Sequence, residues 1–176
     1  MTPADLLADA FGRIPDTVDA VLDGIDDTGP DPVLFRRTDP EANTIAWLVW
    51  HLIRVQDDHV SEVAGVEQAW TADGWADRFA LPLADAATAT GYGHTLADVA
   101  AVRPSADLLR GYLAAVTDRT LSYLRTVGED DLDRVVDERW DPPVTLGMRL
   151  VSVVDDDAQH AGQAALLRGI LERTAS

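Results

Sequence analysis

The sequence predicts an all-α protein, a four-helix bundle with a long crossover between its second and third helices. Three observations carry this reading. Four segments repeat apolar residues at helical period. Each is bounded by capping or breaking residues. The long irregular stretch, residues 66–104, lies between the second and third segments. A connection of that length is uncommon in a compact domain, and it points away from simple up-down-up-down order. The 176 residues are expected to form one domain over 1–176, long enough to bury a substantial core.

The first helix is expected over residues 3–25, with Thr2 as N-cap and Pro3 in the first helical position. Leu6, Leu7, Ala10, Phe11, Ile14, Val18, Val21, Leu22 and Ile25 make its apolar stripe. Pro15 lacks the N–H the ladder needs and is expected to kink or split this helix. The second helix, residues 41–64, opens at Asp39-Pro40 or Asn43 and closes at Gly65. From Ile45 to Ile53 it is apolar on nearly every side, which predicts a central helix covered in part by a second subunit, hence a homodimer. In the crossover, Trp70, Trp75, Phe79 and Tyr92 suggest a segment that packs down over one end of the bundle. The third helix, residues 105–127, starts from Ser105 after Pro104 and stops at Gly128. "RVVDERW" (134–140) then reads as a short strand or extended turn, and the fourth helix follows over 145–173.

Net charge is −17, and all 14 basic residues are arginine. Such a surface repels phosphate backbones and anionic lipid heads, so neither nucleic acid nor a membrane is an expected partner. The absence of cysteine excludes disulfides, thiolate metal sites and a protein thiol nucleophile. Any thiol chemistry needs a small molecule to bring the sulfur. The first residues carry Asp5 and Asp9 where a secretory signal has a basic end and an apolar run, and no stretch is long enough to span a bilayer. A cytoplasmic protein is expected.

The chemistry concentrates in "VVDDDAQHAGQ", residues 153–163. Asp156 and His160 are four apart and share a helix face with Arg149, Val153, Gln163 and Leu167. Asp155 falls to the solvent side. Asp157 falls towards the apolar arc, as a group supporting the ligands or as the ligand in place of Asp156. A buried carboxylate needs a cation or good hydrogen bonds, and a histidine one turn on offers a nitrogen to the same cation. His51 interrupts "AWLVWHLIRV" and is the natural third ligand. His51, Asp156 and His160 together suit one divalent metal with open positions for water or substrate: zinc first, with nickel, iron and manganese also compatible. Against this stands a plainer reading, a core histidine bonded to a carbonyl and an Asp–His surface pair. Asp58 and Arg54 are secondary catalytic candidates. Asp58 either lines the cavity or is hydrated, with His59 beside it. Arg54 either holds a substrate carboxylate or pairs at the surface with Asp57 or Asp58. His94, in "GYGHT", reads as an exposed loop residue, and Trp47 and Trp50 read as core.

"NTIAWLVWHLIRVQDDHVSEVAG" and "LVSVVDDDAQHAGQAALLRGIL" together resemble the DinB-like superfamily of metal-binding four-helix bundles. The nearer likeness is to the branch of mycothiol-dependent maleylpyruvate isomerase and related thiol-dependent transferases. In that branch the second helix supplies a histidine. The last helix supplies a carboxylate or histidine followed four residues later by a histidine, often within H-x-G-Q. The matching positions here are His51, Asp156 and His160, with "HAGQ" at 160–163. Two features depart from the isomerase: Asp156 stands where it has Glu, and no additional C-terminal domain is expected. The resemblance implies a metal-dependent enzyme that activates a low-molecular-weight thiol such as mycothiol, for transfer to, or isomerisation of, an electrophilic small molecule. Two alternatives share the fold. One is a non-catalytic, stress-related bundle with a structural or vestigial metal site. The other is non-haem iron oxidative chemistry on the same triad.

Overall fold

Four long helices carry the chain in a computed structural model that describes residues 1–174. They are α1 (Pro3–Leu22), α2 (Ile45–Ala64), α6 (Ala106–Leu124) and α7 (Leu146–Thr174), with the short α3 (Ala69–Ala72), α4 (Trp75–Phe79) and α5 (Leu96–Ala101) inside the crossover. Local chemistry sets the ends. Thr2 and Asp5 form a reciprocal capping box, the Thr2 hydroxyl accepting from the Asp5 N–H at 3.1 Å and the Thr2 N–H donating to the Asp5 carboxylate at 2.8 Å. α2 begins four residues later than expected because Thr44, rather than Asp39 or Asn43, accepts the Trp47 N–H at 3.1 Å. Gly65, at φ 68°, closes it in the left-handed conformation that glycine adopts freely. The Ser105 cap of α6 is as read from the sequence, its hydroxyl accepting from the Leu108 N–H at 3.2 Å.

Pro15 does not split α1; the helix runs through it without a break. Phe11, Ile14 and Val18 are all buried around the proline, so core packing holds the turn that loses a ladder bond.

Around the bundle, α1 packs on α6 and α7, and α2 packs on the same two, so α1 and α2 lie diagonally opposite. Residues 23–44 carry the chain across that diagonal, whereas the long crossover joins α2 to α6, which pack side by side. The core divides into two apolar clusters. One contains Ile14, Trp50, Ile53, Leu113, Val116 and Ala161; the other contains Phe11, Val60, Val63, Leu124, Leu150 and Val153. Between them in chain register sit buried polar residues, Gln56, Thr117, Thr120 and Asp157. The "RVVDERW" stretch gives β1 (Val135–Asp137), paired antiparallel with β2 (Val144–Thr145) just ahead of α7.

The crossover packs down through three of its four aromatics; Tyr92 is 95% exposed and takes no part. Trp70, Trp75 and Phe79 surround Tyr112 of α6 with ring centroids 5.3, 5.5 and 5.6 Å away. What clamps it was misread from the sequence. Arg54 pairs with Asp57 at 3.4 Å as expected, but in the interior rather than at the surface; it is fully buried. Its Nε donates to the Ala89 carbonyl at 3.0 Å, and its terminal nitrogens donate to Tyr112 Oη at 3.0 Å and Gln68 Oε1 at 2.9 Å. Asp57 beside it accepts from the backbone N–H groups of Ala69 and Trp70 at 2.9 and 2.8 Å and from Tyr112 Oη at 2.7 Å. One buried ion pair thus ties the start of the crossover, at Gln68–Trp70, and its middle, at Ala89, to α2. Among the described residues, no helix is long and apolar enough to cross a membrane.

Candidate metal centre

α2 and α7 face each other along their length, and their polar interruptions meet. His51, Asp156 and His160 each present one ligand atom, and these atoms lie within 4.8 Å of one another. The two imidazoles are 4.6 Å apart between ring centroids. A tetrahedral ion with bonds of about 2.0–2.2 Å needs ligand atoms about 3.4 Å apart, so closure takes roughly 1 Å of side-chain rotation. All three residues are half-buried, and none belongs to an apolar cluster.

The tautomers follow from the hydrogen bonds. His51 Nδ1 meets the Thr90 carbonyl at 2.5 Å, and His160 Nδ1 meets the Asp156 carbonyl at 2.8 Å. A carbonyl only accepts, so each Nδ1 carries the hydrogen and each Nε2 keeps its lone pair. A ligating histidine is ordinarily oriented in this way by a partner on its other nitrogen. The plainer reading of His51, a histidine bonded to a carbonyl, is therefore literally true and does not compete with ligation.

Asp156 supplies the second test of fit. Its Oδ2 is buried and accepts no hydrogen bond among the described residues, although His160 Nδ1 lies 3.3 Å away. The single Nδ1 hydrogen goes to the backbone carbonyl instead. A buried, unpaired carboxylate oxygen beside two free imidazole lone pairs is a donor set that suits a divalent ion. Burial alone would push the Asp156 carboxyl up; the His160, His51 and His59 rings outweigh it and hold the group below the usual carboxylate range. His160 is raised by the Asp156 carboxylate. His51 is lowered, first by burial and then by the neighbouring His160 and His94 rings.

His51 is fixed from above by the crossover. Trp47, one turn earlier on α2, stacks on its ring at 4.6 Å and 12°. Gly91, at φ 102°, presses so close that a Cβ there would sit 2.6 Å from His51 Nδ1 and 3.0 Å from Trp47 Cζ2. Only glycine lets the chain bring the Thr90 carbonyl to the imidazole. Two corrections follow. His94 is not a free loop residue: its Nδ1 accepts the Trp47 indole N–H at 3.1 Å and its ring stacks on Trp50. Trp47 is buried as expected, yet it is also the wall against which His51 rests. Thr90 and Gly91 went unnoticed in the sequence, where "ATGYGHT" signals only a turn.

The remaining candidates lie elsewhere. Asp58 is outside the triad and accepts from Gln68 Nε2 at 2.6 Å. His59 stands between Asp58 and Glu62 at 3.8 and 3.9 Å. Asp155 is exposed, as expected. Asp157 is fully buried, and neither of its oxygens has a hydrogen-bond partner among the described residues. Burial, with the adjacent Asp156 charge, pushes its carboxyl well above the usual range. It faces the bundle core, apart from the three clustered ligand atoms.

An all-α bundle whose second and last long helices bring two histidines and a carboxylate together is a DinB-like protein with a candidate metal centre. The chain matches the family model described as mycothiol-S-transferase over residues 6–173, and it belongs to that family. It is also similar to the crystal structure of a conserved protein from Enterococcus faecalis. That likeness has 31% identity and a TM-score of 0.88, covering 97% of this chain and 98% of the other. No curated protein matches the chain.

Proposed function

We propose that this protein is a metal-dependent thiol S-transferase, in which His51, Asp156 and His160 hold one divalent ion, zinc by preference, and mycothiol is the thiol. The observation that carries the reading is the donor set itself: two imidazole Nε2 atoms with free lone pairs, and a buried carboxylate oxygen without a partner. When bound, such an ion stabilises the deprotonated form of a thiol at neutral pH.

The chain's own residues do the positioning. Thr90 and Gly91 fix the His51 ring against Trp47, and the Asp156 carbonyl fixes His160. Asp156 adds one negative charge, which leaves a divalent site with a net positive charge able to attract a thiolate. In the overall reaction the thiol loses its proton, the sulfur bonds to the electrophilic carbon, and the leaving group departs with the bonding pair. The protein has no cysteine to compete for the electrophile or the ion.

The test is conjugation of mycothiol to 1-chloro-2,4-dinitrobenzene by zinc-loaded protein. Wild type is expected to accelerate the reaction, and His51→Ala, Asp156→Ala and His160→Ala are each expected to abolish the acceleration while keeping the helical circular dichroism spectrum. Full activity in the folded triad variants would overturn the proposal. Oxygen consumption with an iron-loaded sample, and no conjugation with zinc, would replace it with oxidative chemistry.

A further inference from the structure

Beside the triad, towards the N-terminus of α2, the same α2–α7 groove opens into a cleft of about 230 Å³. Its polar lining includes Asn43 and Gln163, and its apolar lining includes Leu48, Leu167 and Ile170. Helix geometry places it next to the ligands. Leu48 precedes His51 by three residues, and Gln163 follows His160 by three, an axial step of about 4.5 Å. On the α7 wheel, Asp156, His160, Gln163 and Leu167 share one arc of about 60°.

Two features give the cleft a chemistry. The side-chain amides of half-buried Asn43 and exposed Gln163 make no hydrogen bond to any described residue, so at the open rim of the cleft four N–H donors and two carbonyl acceptors can exchange water for a ligand. No charged residue lines it, in a chain with 14 basic and 31 acidic residues. The other end of the groove differs: there His59 lies among Asp58 and Glu62, and Arg149 reaches Asp137 at 3.1 Å. A charged ligand finds no counter-charge in the cleft, whereas an uncharged group that both donates and accepts hydrogen bonds, with some apolar surface, finds both kinds of contact.

We infer that the cleft between Asn43 and Gln163 is the subsite for the uncharged, amide- and hydroxyl-bearing body of a small molecule whose reacting atom lies at the His51–Asp156–His160 centre. The inference rests on the thiol-transfer reading for what happens at the centre, but binding in the cleft does not need the reaction. That body belongs either to the thiol or to the electrophile, and the two sources separate experimentally.

The first measurement is binding to zinc-loaded protein, followed through the side-chain amide resonances of Asn43 and Gln163. Mycothiol and N-acetylglucosamine, a neutral amide-bearing sugar without a thiol, are the probes. Both resonances are expected to shift with at least one probe. Silence with both, when mycothiol binds by calorimetry or when nothing binds, overturns the inference. Failure of thiol transfer alone would instead appear as cleft binding without conjugation. The second measurement is steady-state kinetics of Gln163→Leu and Asn43→Ala with mycothiol and with N-acetylcysteamine, a truncated neutral thiol. Each lost hydrogen bond weakens binding roughly 3- to 10-fold. A rise in KM confined to mycothiol assigns the cleft to the thiol. A rise in the electrophile's KM with both thiols assigns it to the electrophile. Unchanged KM values, with a changed oligomeric state, mean that the cleft is a contact between subunits and overturn the inference.

Discussion

Two buried carboxylate sites on neighbouring helices have opposite surroundings. Asp57 on α2 is 2% exposed, and its oxygens accept from two backbone N–H groups, Tyr112 Oη and Ser61 Oγ, with Arg54 3.4 Å away. Asp156 and Asp157 on α7 leave three buried oxygens without any hydrogen bond among the described residues. Completeness is what separates them. A buried ion pair whose every oxygen is used is a strut, and removing one partner strands the other charge. A buried carboxylate left short of partners is either a latent ligand or a standing cost to stability, and Asp156 and Asp157 divide those roles according to which way they face.

The comparison can be broken from its rigid side first. Asp57→Ala leaves Arg54 buried without its counter-ion and frees the start of the crossover at Ala69 and Trp70, so a loss of about 3–5 kcal/mol is expected in urea unfolding. A loss under about 1 kcal/mol, the size of an exposed pair, would show that the network does not clamp the crossover.

The strap above His51 is the next point to test. Gly91→Ala puts a methyl group where His51 and Trp47 already stand, and at an unfavourable φ. Zinc affinity, measured against a chromophoric chelator, is expected to fall about 10- to 100-fold with the fold retained, as when a partner that orients a ligand is lost. An unchanged affinity would mean that the Thr90 contact does not orient the imidazole.

Asp157→Leu sharpens the α7 side. It removes two unsatisfied oxygens from the core and is expected to stabilise the metal-free protein by about 1–3 kcal/mol, with zinc affinity unchanged. Lost zinc binding would instead make Asp157 the carboxylate ligand.

The smallest effect concerns Asp137 in β1. The Arg139 guanidinium and backbone N–H, with Arg149, hold its carboxyl well below the usual carboxylate range. A depressed folded value means that the folded state holds the proton less tightly than the unfolded chain. The stabilisation is therefore complete above the unfolded value, about 4, and is lost as pH falls further. Thermal melts of Asp137→Asn should converge with wild type in acid and lie below it at neutral pH; a constant difference across pH would contradict this.

These regions also mark how far the sequence could be read. Period and caps gave the four long helices to within a few residues at most ends, because each apolar stripe and each Thr2- or Ser105-type cap is a local signal. The grouping of His51, Asp156 and His160 was legible from polar residues in apolar helices, two of them at one-turn spacing, together with the family resemblance. Arg54 was not. At three residues from Asp57 it looks like a surface pair, and only the crossover folding back over α2 buries it. Thr90, Gly91 and His94 were missed because a backbone carbonyl carries no residue-type signature and loop conformation is set by distant contacts. The continuity of α1 through Pro15 was not legible, because packing on both sides outweighs a single missing N–H.

Zinc titration of metal-stripped wild-type protein against a competing chelator is the most direct measurement. One tight equivalent per chain is predicted, with affinity lost on changing any one of His51, Asp156 or His160 to alanine. If wild type takes up no stoichiometric divalent ion, or if the three variants bind zinc as wild type does, the convergence of α2 and α7 on a shared ion is wrong.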